Sequence, residues 1–167
     1  MRRWAIYAVT ALGVLLAAVV GIGYMLPVAH VASADAMIAA PPDHVFALLT
    51  DVSAYPRWRP DVSRVEVLSR APVRWRERGS TGDITFEIQE NMAPARLVTR
   101  IADPTLPFGG TWTFQLTPTS GGTRVTITEH GEVYNPVFRF VSRFVFGHTA
   151  TIEQFLTALK RAAGQVR

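Results

Sequence analysis

The 167-residue chain has no cysteine. That excludes a disulfide framework and a thiolate-bound metal site, and it leaves the compartment unmarked by redox chemistry. No histidine pair falls at metal-ligand spacing, and no nucleophile motif, P-loop or dinucleotide fingerprint occurs. Neither a metal nor a nucleotide cofactor is therefore expected. A basic run is missing too: the net charge of +4 rests on arginines dispersed along the chain, which leaves no footprint for a nucleic-acid partner. There is no internal repeat and no low-complexity tract, and no feature specifies an oligomeric state.

The longest absence is of charge itself. From Trp4 to Leu26 no side chain is ionised at neutral pH, and Thr10 is the only clearly polar one. Roughly 23 residues suffice for a helix to cross a bilayer core. Arg2 and Arg3 before an apolar run, with Ala32-Ser33-Ala34 beyond it, also describe a secretory signal peptide and its cleavage site. Two features favour an uncleaved anchor: the run exceeds the roughly 7 to 15 residues of a signal h-region, and cleavage after Ala34 would cut the first expected strand. The expected division is 1–29 as cytoplasmic N-terminus and transmembrane anchor, and 30–167 as one domain. Positive charge before the helix, and none between Leu26 and Arg57, predicts a cytoplasmic N-terminus and an extracytoplasmic domain. Close to a bilayer, the dispersed arginines suit anionic headgroups or ordinary solvation.

With 49% hydrophobic residues the remainder can build a sizeable core. Three residues after the apolar run, His30 to Ile38 reads as a strand. Pro42 suits a first helical turn, Asp43 complements its dipole, and Val45, Leu48, Leu49 and Val52 recur at helical spacing. A shorter helical turn covers Ser53 to Trp58, bounded by Pro60.

From Val62 to Tyr134 the period is two. Val73, Trp75 and Glu77 share a face, as do Ile84, Phe86 and Ile88; Leu97, Thr99 and Ile101; Trp112, Phe114 and Leu116; and Val125, Ile127 and Glu129. Arginines, threonines and Gln115 occupy the opposite face. Turn chemistry separates the runs at Gly79 to Asp83, Asn91 to Pro94, Asp103 to Gly110 and Thr119 to Gly122. This predicts consecutive antiparallel hairpins, dry on one side and wet on the other. After Asn135-Pro136 the spacing predicts one long helix from Val137 to about Ala163, with Gly147 as a weak point.

In order of elements and in motif, the chain resembles the START-like SRPBCC superfamily, and within it the polyketide cyclase/dehydrase and lipid transport family. The residues that carry the likeness are Ile38-Ala39-Ala40-Pro41-Pro42-Asp43-His44-Val45-Phe46, Thr50-Asp51, Tyr55-Pro56-Arg57-Trp58 and Thr123-Arg124-Val125-Thr126. Leu26-Pro27, Gly131-Glu132-Val133 and Asn135 to Phe140 resemble a membrane-anchored subgroup. The resemblance implies an α+β helix-grip fold, a curved antiparallel sheet of about seven strands around a long C-terminal helix, enclosing a mostly apolar cavity. It says little about function, because this fold hosts many.

Trp75, Phe86, Trp112 and Phe114 fall on the dry face, and Trp58, Phe108, Phe138 and Phe144 come from elements near the cavity mouth or helix. They are candidates to line the cavity or simply to fill the core. Glu77, Thr99 and Glu129 break the dry face. A carboxylate among aromatics is costly unless hydrogen-bonded, paired or protonated, so Glu129 is a candidate to fix a ligand hydroxyl or to move a proton. The alternative is that an arginine or solvent meets each glutamate at its strand end. His130 points away from Glu129, whereas His148 could face the cavity. Arg139 and Arg143 form a stripe on an otherwise apolar helix start, a pattern suited to a membrane surface.

Three functions fit: a membrane-tethered carrier of a lipid, isoprenoid, quinone or polyketide-like molecule; a cyclase or dehydratase using Glu129; and a ligand-free interaction module at the membrane.

Overall fold

The computed structural model describes residues 2–79, 82–146 and 149–164. Helix α1 (Arg2–Met25) is long and apolar enough to cross a membrane, and its side chains are largely exposed. Strand β1 (Ala29–Ile38) follows at once, then α2 (Pro42–Thr50), a tight turn at Val52–Ala54, and α3 (Tyr55–Trp58). Proline stands in the first turn of both helices, Pro42 as the first residue of α2 and Pro56 as the second of α3, where its missing N–H is no loss.

Six strands come next: β2 (Val62–Arg70), β3 (Val73–Gly79), β4 (Gly82–Met92), β5 (Arg96–Ile101), β6 (Phe108–Thr119) and β7 (Gly122–Val133). From β3 onward each pairs antiparallel with its predecessor, and β1 pairs with β7, which gives the order β1-β7-β6-β5-β4-β3-β2 with β1 and β2 at the two edges. The period-two reading is met most cleanly on β3, β7 and the second half of β6, where one face meets the helices and the other water. Strand β2 does not alternate regularly, and Thr85 of β4 and Val98 of β5 are buried on the face expected to be wet. Register shifts in β2 and between Ile88 and Glu90 of β4 mark bulges, which add bend and twist to the sheet.

The C-terminal region differs from one continuous helix. It divides into α4 (Pro136–Val141), a π-helical turn (Ser142–Phe146) and α5 (Ala150–Gly164). Asn135 caps α4, its Oδ1 accepting from the N–H groups of Val137 and Phe138 at 2.9 and 3.2 Å. The widened turn ends the regular i to i−4 ladder just ahead of Gly147, the expected weak point, which with His148 lies outside the described residues. The tip of the β3–β4 turn, Ser80 and Thr81, lies outside them as well.

Helix α5 buries Ile152, Phe155, Leu156, Leu159 and Ala163 against β1, α2 and the β5–β7 end of the sheet. A smaller cluster of Val52, Tyr55, Val62 and Trp75 holds the opposite end, and Trp58 packs against both. Helix α1 lies against α4. A β-carbon at Gly23 would overlap the Pro136 backbone, so only glycine permits that approach. Arg139 completes the junction by donating to the carbonyls of Leu26 and Tyr134, both at 3.0 Å.

A cavity with two polar ends

Between the sheet and the helices lies a cavity of about 580 Å³, within the range of small-molecule sites. Trp75, Phe86, Thr99, Trp112 and Phe114 line it from the dry face, Phe155 from α5, and Phe138, Val141 and Ser142 from α4 and the turn after it. Phe155 is the hub: its ring centre lies 5.5 Å from Trp58, 5.7 Å from Trp112 and 5.5 Å from Phe114. Trp75 stacks on Phe86 at 5.5 Å. Each ring is held by others, so the wall is preformed.

Glu77 marks one polar end. Its Oε1 accepts from the Trp75 indole at 2.8 Å and from Arg59 at 3.0 Å, so the alternative of a paired strand-end carboxylate describes it. Arg59 also binds Asp61 and lies 5.0 and 5.1 Å from the ring centres of Tyr55 and Phe155. Burial lifts the Glu77 carboxyl above the ordinary glutamate range, and Arg59 and Trp75 offset part of that rise. Burial likewise pushes up the Tyr55 phenol, whose hydroxyl donates to the Leu49 carbonyl at 2.7 Å.

Glu129 marks the other end, on β7, four strands away from β3 in the sheet order. Burial raises its carboxyl, and a hydrogen bond from Trp112 draws it partly back. His30 Nε2 stands 3.8 Å from Glu129 Oε1. His130 is exposed on the far face, as the alternation predicts.

The remaining candidates separate. Thr99 is buried in the wall and cross-strand from Trp112. Trp58 fills the junction of the two clusters, 5.4 Å from Tyr55, and does not line the cavity. Phe144, within the π-helical turn, is 61% exposed, packs on Phe140 at 5.0 Å and is not among the residues lining the cavity. Arg139 is committed to two backbone carbonyls rather than to a surface, whereas Arg143 is exposed.

Arg59 and His30 were missed in the sequence reading, yet each left a signal. Two carboxylates on a dry face call for cations, and Arg59 directly follows the buried helix pair. His30 shares its strand face with Ala32 and Ile38, both buried.

A seven-stranded antiparallel sheet closed over a helix around a mostly apolar cavity defines a helix-grip domain of the START-like class. The family model described as polyketide cyclase / dehydrase and lipid transport matches residues 29–164, and the chain belongs to that family. Among solved structures, a START superfamily protein from Mycobacterium smegmatis is similar, with a TM-score of 0.67 at 18% identity, over 83% of this chain and 99% of that one. So is the Zhui aromatase/cyclase from Streptomyces sp. R1128, with 0.66 at 16%, over 83% and 96%. Norcoclaurine synthase from Thalictrum flavum gives 0.66 at 11%, over 86% and 91%. At these identities the likeness is one of fold. No curated protein matches the chain.

Proposed function

We propose that the protein is a membrane-tethered carrier or binding domain for a hydrophobic small molecule of lipid, isoprenoid, quinone or polyketide-like kind. The observation that carries this reading is the aromatic cavity of about 580 Å³ walled on one side by α4, the helix against which α1 packs. Removing apolar ligand surface from water is worth about 25 cal/mol per Å² before the costs of association. Ring-against-ring packing keeps the wall in place without ligand, which reduces those costs. Helix α1, long and apolar enough to span a bilayer, would hold the domain at the surface from which such a molecule is drawn. Full-length protein extracted into nanodiscs should carry an apolar molecule visible by native mass spectrometry, or take one up from donor liposomes. Repeated failure of both would overturn the reading.

A second reading is favoured by one placement: Glu129 lines the cavity with its carboxyl raised by burial, where a proton donor for cyclisation or dehydration would stand. Glu129→Gln would then abolish turnover of a polyketide-like substrate and leave its binding in place.

A further inference from the structure

The sheet is stripped of side chains beside Glu129. Gly110 on β6 and Gly131 on β7 are directly cross-strand, so neither strand places a side chain there. A β-carbon at 131 would overlap the His30 imidazole and come within 3.1 Å of Glu129 Oε1. Gly110 has φ +130°, and a β-carbon there would overlap the His130 carbonyl. The clearing is thus the space in which His30, arriving from β1, lies next to Glu129. His30, Gly110, Trp112 and Glu129 all line the cavity.

The separation is informative. Nε2 and Oε1, at 3.8 Å, are beyond direct hydrogen-bond reach. A single oxygen atom set to the cavity side of the line between them can lie about 2.8 Å from each and bond to both. An imidazole nitrogen and a carboxyl offer both donor and acceptor capacity, which suits an alcohol, phenol or ketone oxygen. Beside them the wall carries the Trp112 and Phe114 rings, the two glycines and, cross-strand from Trp112, the Thr99 hydroxyl.

We propose that His30 and Glu129 form an oxygen-recognition site at the β1–β7 end of the cavity, selecting apolar ligands that carry one hydroxyl or carbonyl over plain hydrocarbons. This rests on the cavity reading above and adds the ligand's chemistry and its orientation. The raised carboxyl of Glu129 is consistent with the site, since a protonated acid can donate where a carboxylate cannot.

The test uses full-length protein in nanodiscs with two fluorescent probes of one skeleton, 1-pyrenemethanol and pyrene, at matched mole fractions. With Trp4 of α1 replaced by phenylalanine in every chain compared, energy transfer from the cavity tryptophans Trp75 and Trp112 reports occupancy apart from probe dissolved in lipid. The alcohol should bind about tenfold more tightly than the hydrocarbon. Glu129→Leu and His30→Leu should each bring that ratio to about one, and Glu129→Gln, whose amide both donates and accepts, should largely keep it. Gly131→Ala tests the same site without altering either polar group: the new methyl displaces the imidazole, and the ratio should fall. Equal binding of the two probes by the native chain, or an unchanged ratio in Gly131→Ala and both leucine variants, overturns the oxygen site and leaves the cavity reading standing. Binding of neither probe overturns both.

Discussion

Arg59 Nη1 lies 3.0 Å from each carboxylate oxygen of Glu77, with 13% of the arginine side chain and 8% of the glutamate exposed. The pair ties α3 and the bend after it to β3, and it closes one end of the cavity. Two charges withdrawn this far from water depend on each other: removing one leaves the other uncompensated.

Glu77→Gln should therefore cost about 3 kcal/mol of stability, toward the lower end for a broken buried pair, because Asp61 still neutralises part of the Arg59 charge. Replacing both, as Arg59→Leu with Glu77→Leu, should cost less than the single change. Denaturant titration of the detergent-solubilised chain measures the two, and a double variant less stable than the single one would refute mutual compensation.

Thr123 is fully buried and its hydroxyl donates to the Ala40 carbonyl at 2.7 Å, joining β7 to the chain entering α2. Thr123→Val keeps the shape and leaves that carbonyl without its donor. A loss of about 1 to 3 kcal/mol is expected, with Thr123→Ser recovering much of it. Thermal or chemical unfolding reads both.

Arg139→Met should loosen α4 from α1 and the β7 end, since it removes two charge-assisted bonds to backbone carbonyls. Amide exchange over residues 137–141 should rise by more than about tenfold while β5 and β6 stay protected. An unchanged rate would show that the Gly23–Pro136 contact alone holds the junction.

For Glu129 the folded carboxyl titrates above the ordinary glutamate value of 4.5. Between that value and the raised one, the folded state binds more protons than the unfolded state. Stability therefore falls as pH rises through this window. Glu129→Gln removes that dependence, so the melting temperature of the variant should gain on the native chain between pH 4 and pH 8. A constant difference across that range would contradict a raised carboxyl.

Much of the sheet was legible because the period of two is local. Ile84, Phe86 and Ile88, or Trp112, Phe114 and Leu116, declare their face without reference to any partner strand. Helix ends were equally legible where proline and Asn135 set them. The C-terminal break was only half visible: Gly147 warned of a weak point, but the widened turn lies ahead of it, at Ser142–Phe146. Phe144, a cavity candidate because its element was expected near the mouth, lies within that turn and is exposed.

Glu77 and Glu129 show the same division within the site. By alternation both belong on the dry face, and nothing nearby in sequence separates them. Their surroundings come from residues 18 positions back for Glu77 and 99 positions back for Glu129, namely Arg59 and His30. One carboxylate receives a guanidinium and becomes structural; the other faces an imidazole nitrogen at 3.8 Å.

What the amino-acid order determined by itself was the set of elements, the apolar first helix, the face of each strand and hence the existence of a dry wall, because these depend on side-chain periodicity and backbone preference within a few residues. The volume enclosed, the separation of its two polar ends and the different partners of two like carboxylates were decided only when β1 paired with β7 and the helices closed over the sheet. Those properties depend on distances between segments far apart in the chain, which local periodicity does not encode.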